Sequence, residues 1–305
     1  MTGTALLALV AAGSALGAHR LTHARWTWRT PRTAIVLWQA LGLAWGLASI
    51  GTLLGFGVAP YGQGVVVGVA RFFADPQALS PVRIASVAAG LLFMLLLIAM
   101  LLVAIVGVFR ARRRHRALLA LVAHGDPEMP GTLVLDHPAA AAYCVPGVRS
   151  SKVVVSAGTL EILGPYELAA VLDHERAHVR ERHDLVLLPF TSLRRIFPQS
   201  RMVGRTLDAV ELLVEMAADD RARRHRPAKE LATALLRFAA ARPAPTPAGT
   251  LGATGTATAD ETSPIVVRVR RLLSPAPLPR PLRGAMLAGA TLVAVLPLIL
   301  YAIPA

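Results

Sequence analysis

The chain contains uncharged apolar runs too long for the core elements of a soluble domain. Ala34 to Ala59 and Ile84 to Phe109 carry no acidic or basic side chain, and Ala285 to Ala305 repeats the pattern. A run of about 18 or more such residues reads as a membrane-crossing helix, since in lipid a helix satisfies its own backbone polar groups. The stretch Thr2 to Ala18 is shorter, and its Ser14-Ala15-Leu16-Gly17-Ala18 end has the small residues of a signal-peptide cleavage site. A signal peptide carries its positive charges before the apolar part, however, and here they follow it, at Arg20, Arg25, Arg29 and Arg32. We read it as a retained first helix, giving spans at about 2–18, 34–59, 84–109 and 285–305.

The formal charge of +14 would on a soluble protein suggest nucleic acid or an acidic partner. Here its placement matters more than its sum. Arginines crowd the segment 19–32, the run Arg110 to Arg116, and Arg268 to Arg283, while the segment 59–80 has one Arg and one Asp. The positive-inside rule then puts the N-terminus outside, 19–33 inside, 60–83 outside and all of 110–284 in the cytoplasm. The basic runs read as topology signals and contacts to membrane lipids, and no direct nucleic-acid binding is expected. The one cysteine, Cys144, forms no intrachain disulfide, which suits a cytoplasmic domain.

The organisation follows as three membrane helices within 1–109, a cytoplasmic domain at 110–284 and a fourth helix at 285–305. Gly42 with Gly46, and Gly51 with Gly55, are G-x-x-x-G steps that let helix backbones approach closely. Arg112 to His124 predicts a short helix leaving the membrane. Thr132 to Leu135 and Lys152 to Ser156 are rich in β-branched residues and predict strands. Between them Tyr143-Cys144-Val145-Pro146-Gly147 ends in a Pro-Gly turn signal. A helix is expected from Pro165, with Gly164 before it. Leu185 to Phe190 is an apolar patch, 203–225 predicts another helix, 241–263 is an Ala, Pro, Thr and Gly-rich flexible loop, and helix resumes at Val266 to Leu273.

On the helix from Pro165 lies His174-Glu175-Arg176-Ala177-His178. Residues i and i+4 share a helix face one turn apart, so both imidazoles can reach one ion. A catalytic zinc takes three protein ligands and keeps a fourth position open. Glu175 is turned from the two histidines yet borders that position, where it can act as general base. By chance roughly one chain in a hundred of this size carries such a run, so the third ligand matters. The candidates are Glu211, Glu215, Asp219, Asp220, His183 and His225. Glu215 is preferred and Glu211 is the runner-up. One turn beyond Glu215, Asp219 is placed to hold a ligand histidine by its other ring nitrogen. The ion is expected to be one zinc per chain.

The stretch Leu172 to Arg180, followed by Asp184, resembles the zinc-binding helix of the BlaR/MecR-type membrane metallopeptidases. Glu215-Met216-Ala217-Ala218-Asp219 is similar to their E-x-x-A-D segment, shared with the HtpX and CAAX-protease type. That resemblance implies a mostly α integral membrane protein with a cytoplasmic α+β gluzincin-like peptidase domain, a small sheet ahead of the zinc helix, and self-processing. It also implies an endopeptidase whose substrate is a cytoplasmic protein such as a transcriptional repressor. The sequence ends at Ala305 directly after the last apolar run, so no external penicillin-binding domain is expected. Two alternatives stand beside this reading: an HtpX-like quality-control protease of membrane proteins, and a non-catalytic membrane scaffold or receptor.

Overall fold

The computed structural model describes residues 2–75, 79–125, 132–145, 152–241, 251–252, 263–274 and 277–304. The chain forms two compact units. One comprises Met1–Val103, Ser192–Val210 and Leu278–Ala305; the other comprises Ala104–Thr191 and Glu211–Pro277.

The chain begins with helices α1 (Thr2–Leu21), α2 (Pro31–Val58), α3 (Val65–Ala74) and α4 (Pro81–Val122). Strands β1 (Ala123–Gly125), β2 (Thr132–Leu135), β3 (Ala142–Val145) and β4 (Lys152–Ser156) follow. Helices α5 (Ala157–Ile162), α6 (Pro165–Arg180), α7 (His183–Ile196), α8 (Arg201–Ala222) and α9 (Ala228–Ala240) come next. The two-residue strand β5 (Leu251–Gly252), α10 (Pro264–Leu273) and α11 (Arg280–Leu300) complete the order. Among the described residues, four helical stretches are long and apolar enough to cross a membrane: Thr2–Leu21, Pro31–Tyr61, Pro81–Leu119 and Arg280–Leu300.

Two features of the first half depart from the sequence expectation. The helix that begins at Pro81 does not stop near Phe109 but continues through Arg110–Arg116 to Val122. No Gly or Pro lies between Val108 and Val122, and Arg, Ala and Leu are strong helix formers. The separate helix expected at 112–124 is therefore the end of α4, and Ala123 and His124 belong to β1. The segment 60–83, read as a loop, contains α3. Its valines are moderate helix formers, yet packing overrides propensity: Val65 is buried, and a Cβ on Gly68 would lie 2.5 Å from a Val58 methyl.

The two glycine steps behave differently. A Cβ at Gly51 would fall 2.1 Å from the Tyr301 ring, and one at Gly55 2.8 Å from the Thr4 hydroxyl. Tyr301 is fixed there by donating to the Leu47 carbonyl at 2.5 Å. Gly42, by contrast, has nothing within 4 Å of an added Cβ, and Gly46 makes only ordinary contact with Leu97. Among the described residues, the second step is the one where another part of the chain approaches too closely for a side chain.

In the other unit the sheet order is β1-β2-β4-β3-β5. β2 runs parallel to β4, and the remaining neighbours are antiparallel. β2 and β4 have the expected bounds. Tyr143 to Val145, the residues ahead of the Pro-Gly turn signal, make up most of β3, in register Tyr143 with Val154 and Cys144 with Val153. The Pro146-Gly147 turn signal lies outside the described residues, as does all of 241–263 except Ala241, Leu251–Gly252 and Ser263.

Alternation along β4 sends its side chains to two faces. Val153 and Val155 pack with Leu172 of α6, while Val154 packs with Tyr143 and with Leu119 of α4. Behind α6, a second layer joins Ala170 to Leu231 and Leu235 of α9 and to Ile265 and Leu272 of α10. A buried polar knot closes the sheet onto α5. The Ala141 amide donates to Ser156 Oγ at 2.9 Å and to Thr159 Oγ1 at 2.8 Å, and Thr159 Oγ1 donates back to the Ala141 carbonyl at 2.9 Å.

Candidate metal centre

The site helix starts where the chain chemistry dictates. Pro165 takes the first helical position, where its missing N–H costs nothing. The Gly164 amide donates to the Glu167 carboxylate at 2.7 Å, which satisfies one orphan donor of the helix end. Three turns on, His174 and His178 project from the same face, buried to 1 and 2 % exposure. Their Nε2 atoms lie 3.1 Å apart.

Glu215 on α8 faces the same point. Its Oε2 is 3.4 Å from His174 Nε2 and its Oε1 is 3.4 Å from His178 Nε2. His174, His178 and Glu215 thus offer three ligand atoms within 4.8 Å of one another. The Glu215 side chain is about 20 % exposed, while its Oε2 is buried. Glu175, the next residue on α6, is fully buried.

Each histidine is held from behind. Asp219 Oδ1 lies 3.0 Å from His174 Nδ1, and His183 Nδ1 lies 2.9 Å from His178 Nδ1. His183 therefore stands behind His178 and not in the ligand cluster. Glu211 is exposed on α8 and His225 is exposed beyond it. Asp220 is taken by Arg271, whose Nη2 donates to its Oδ2 at 2.7 Å.

The sequence reading missed Arg268. In the sequence it belongs to a basic run that marks the membrane side, yet it is 5 % exposed and lies in the site. Its Nε and Nη2 donate to the two Asp219 oxygens at 2.9 and 2.8 Å, and its Nη1 is 2.9 Å from Glu215 Oε2. A signal for this was present. Ile265, Arg268 and Leu272 are the buried positions of α10, spaced i, i+3 and i+7, so the Arg stands on the apolar stripe of an amphipathic helix. A cation at such a position needs an anionic partner.

The electrostatics follow from these contacts. Burial pulls His178 down to about 3, so it is neutral near pH 7 and its Nε2 lone pair is available. Burial would also lower His174, but the Asp219 and Glu215 carboxylates outweigh it and raise the ring to about 9. Burial would raise Glu215, yet the charges of His178 and Arg268 and the bond from His174 bring it down to about 2. Asp219 is likewise held well below the usual carboxylate range by Arg268 and His174, against burial. Arg268 is raised by Asp219, Glu215 and, more weakly, Glu175, against the cost of its burial.

Residues 108–242 match the model of peptidase family M48. The match indicates a domain of the zinc metallopeptidase class, a hydrolase, and does not single out the BlaR/MecR type. No curated protein and no solved structure matches the chain.

Zinc is the metal implied by that class, and the residues present fit it. Two imidazoles and one carboxylate are a catalytic zinc donor set. The Nε2 atoms face inward while the Nδ1 atoms face a carboxylate and a third imidazole, which fixes the ring orientations a metal would need.

Proposed function

We propose that the chain is a multi-pass membrane zinc endopeptidase whose active site faces the cytoplasm. The observation that carries this is the convergence of His174 and His178 of α6 with Glu215 of α8, beside the buried Glu175. In this reading the three convergent residues hold zinc, and Asp219 fixes the His174 ring. Bound there, zinc supplies a Lewis acid and makes water acidic enough to ionise near neutral pH. Glu175 takes the proton of the attacking water on its carboxylate and passes it to the leaving amine. The low dielectric around a fully buried Glu175 strengthens its interaction with every charge that develops nearby. The arginine distribution supports the cytoplasmic placement: the segments 110–116 and 270–283 that flank the peptidase residues are both basic.

The substrate in this proposal is a cytoplasmic protein, and a regulatory target such as a transcriptional repressor is the form suggested by the BlaR/MecR-like residues. The E-x-x-A-D segment, shared with the HtpX type, supports a second reading in which damaged membrane proteins are cleared. Purified protein in detergent is expected to hold about one zinc per chain, lost in His174→Ala. Glu175→Gln should keep the zinc, lose cleavage, and retain the substrate in cells for identification. A folded sample that binds no zinc would sink the peptidase reading and leave a membrane scaffold in its place.

A further inference from the structure

We propose that Arg268 is a positioning residue that makes Glu215 a one-oxygen metal ligand and so keeps the fourth position of the site open. The inference rests on the metal-site reading above and concerns a residue outside the stretch matched by the peptidase family, 108–242.

The guanidinium is not free to follow Glu215. Its Nε and Nη2 form a two-point fork on Asp219, at 2.9 and 2.8 Å. Asp219 is itself placed by the His174 ring, 3.0 Å away. Ile265 and Leu272, on either side of Arg268 along α10, are packed against Ala170, Ala222, Leu231 and Leu235. The third nitrogen, Nη1, is therefore presented at a set place, and there it meets Glu215 Oε2 at 2.9 Å.

Both oxygens stand at the ligand rings, Oε1 3.4 Å from His178 Nε2 and Oε2 3.4 Å from His174 Nε2, and Arg268 engages Oε2. A carboxylate can bind a metal through one oxygen or two. With two it would add a fifth ligand and crowd the position that a catalytic zinc reserves for water and substrate. An arginine bound to one oxygen holds that oxygen back. It also contacts both Glu215 and Asp219, as the His174 ring does from the other side, so cationic partners face the two carboxylates that share one helix.

Cobalt can report the coordination number, since a four-coordinate Co²⁺ site gives intense visible bands that weaken sharply when a fifth ligand enters. The full-length protein in detergent would be stripped, saturated with Co²⁺, and compared with Arg268→Gln, Asp219→Asn and the Asp219→Asn/Arg268→Gln double variant. The wild type and Asp219→Asn should both show the intense bands, because the packing of Ile265 and Leu272 still holds α10 and Glu215 remains as a carboxylate partner of Arg268. Arg268→Gln and the double variant should bind one Co²⁺ but lose most of that intensity. The double variant removes one buried charge of each sign, so it remains decisive where Arg268→Gln alone does not fold. Unchanged band intensity in the variants that lack Arg268 overturns the inference while leaving the metal site intact. Absence of Co²⁺ uptake by the wild type would overturn the metal-site reading and this inference with it.

Discussion

Asp219 Oδ1 sits 3.0 Å from His174 Nδ1, while Glu215, one turn earlier on the same helix, faces the Nε2 of that ring at 3.4 Å. One helix thus grips both nitrogens of one imidazole. The carboxylate behind the ring fixes its orientation and raises its basicity. Asp219→Asn keeps the shape and removes the charge. It should weaken zinc binding by about 10- to 100-fold while leaving one zinc bound at saturation. Competition against a chelator of known affinity measures this, and an unchanged affinity would remove Asp219 from the supporting role.

The parts of this arrangement that obey local spacing rules could be read from the sequence. His174 and His178 share a face because four residues make about one helical turn, and the same rule relates Glu215 to Asp219. β2 and β4 were visible as β-branched runs. The residues that could not be read this way depend on tertiary partners. Arg268 looks like its neighbours Arg270 and Arg271 until the stripe formed by Ile265 and Leu272 is recognised. His183 was a candidate ligand, and only the start of α7 at that residue turns its ring onto His178 Nδ1. The continuity of α4 was obscured because a charge run marks a membrane boundary without marking a helix end.

The two ligand histidines titrate in opposite directions, which predicts an optimum for the metal-free protein. His174 is raised from 6.5 to about 9. Its contribution is complete below pH 6.5 and is lost as pH rises through 9. His178 is lowered from 6.5 to about 3. Between those values the unfolded chain binds the proton better, so stability falls as pH drops from 6.5 toward 3. Thermal melts of stripped protein should therefore peak near pH 6.5. In Asp219→Asn the decline on the alkaline side should flatten, because the carboxylate that raises His174 is gone. A melting temperature that climbs steadily from pH 6.5 to 9 in the wild type would contradict the assignment.

Gly158 predicts a purely structural effect. A Cβ there would lie 2.0 Å from the Pro138 carbonyl oxygen, and its own amide donates to the His137 carbonyl at 3.1 Å. Backbone lies on both sides, so Gly158→Ala must displace the chain beside the Ser156–Thr159 knot. Overpacking of this kind costs about 1–3 kcal/mol. Denaturant melts should show the loss in the zinc-loaded and stripped protein alike, since no ligand is touched.

The strongest effect outside the ligand set is expected at Arg112 and Asp184. They form a buried ion pair between the end of α4 and the start of α7, with side chains 7 and 10 % exposed. Asp184 follows His183, whose Nδ1 stands 2.9 Å behind His178, so the pair anchors the turn that supports a zinc ligand. Removing one partner strands a buried charge, which costs about 3–5 kcal/mol. Asp184→Asn should lower the melting temperature and, by loosening His183, also weaken zinc binding. His183→Ala should weaken zinc binding with a smaller loss of stability, because it leaves the ion pair whole. The exchange Arg112→Asp with Asp184→Arg restores opposite charges in contact and should recover part of what either single change loses. If Asp184→Asn destabilises the protein but leaves zinc affinity untouched, the pair serves the fold alone, and the line from α4 through His183 to His178 carries no support to the site.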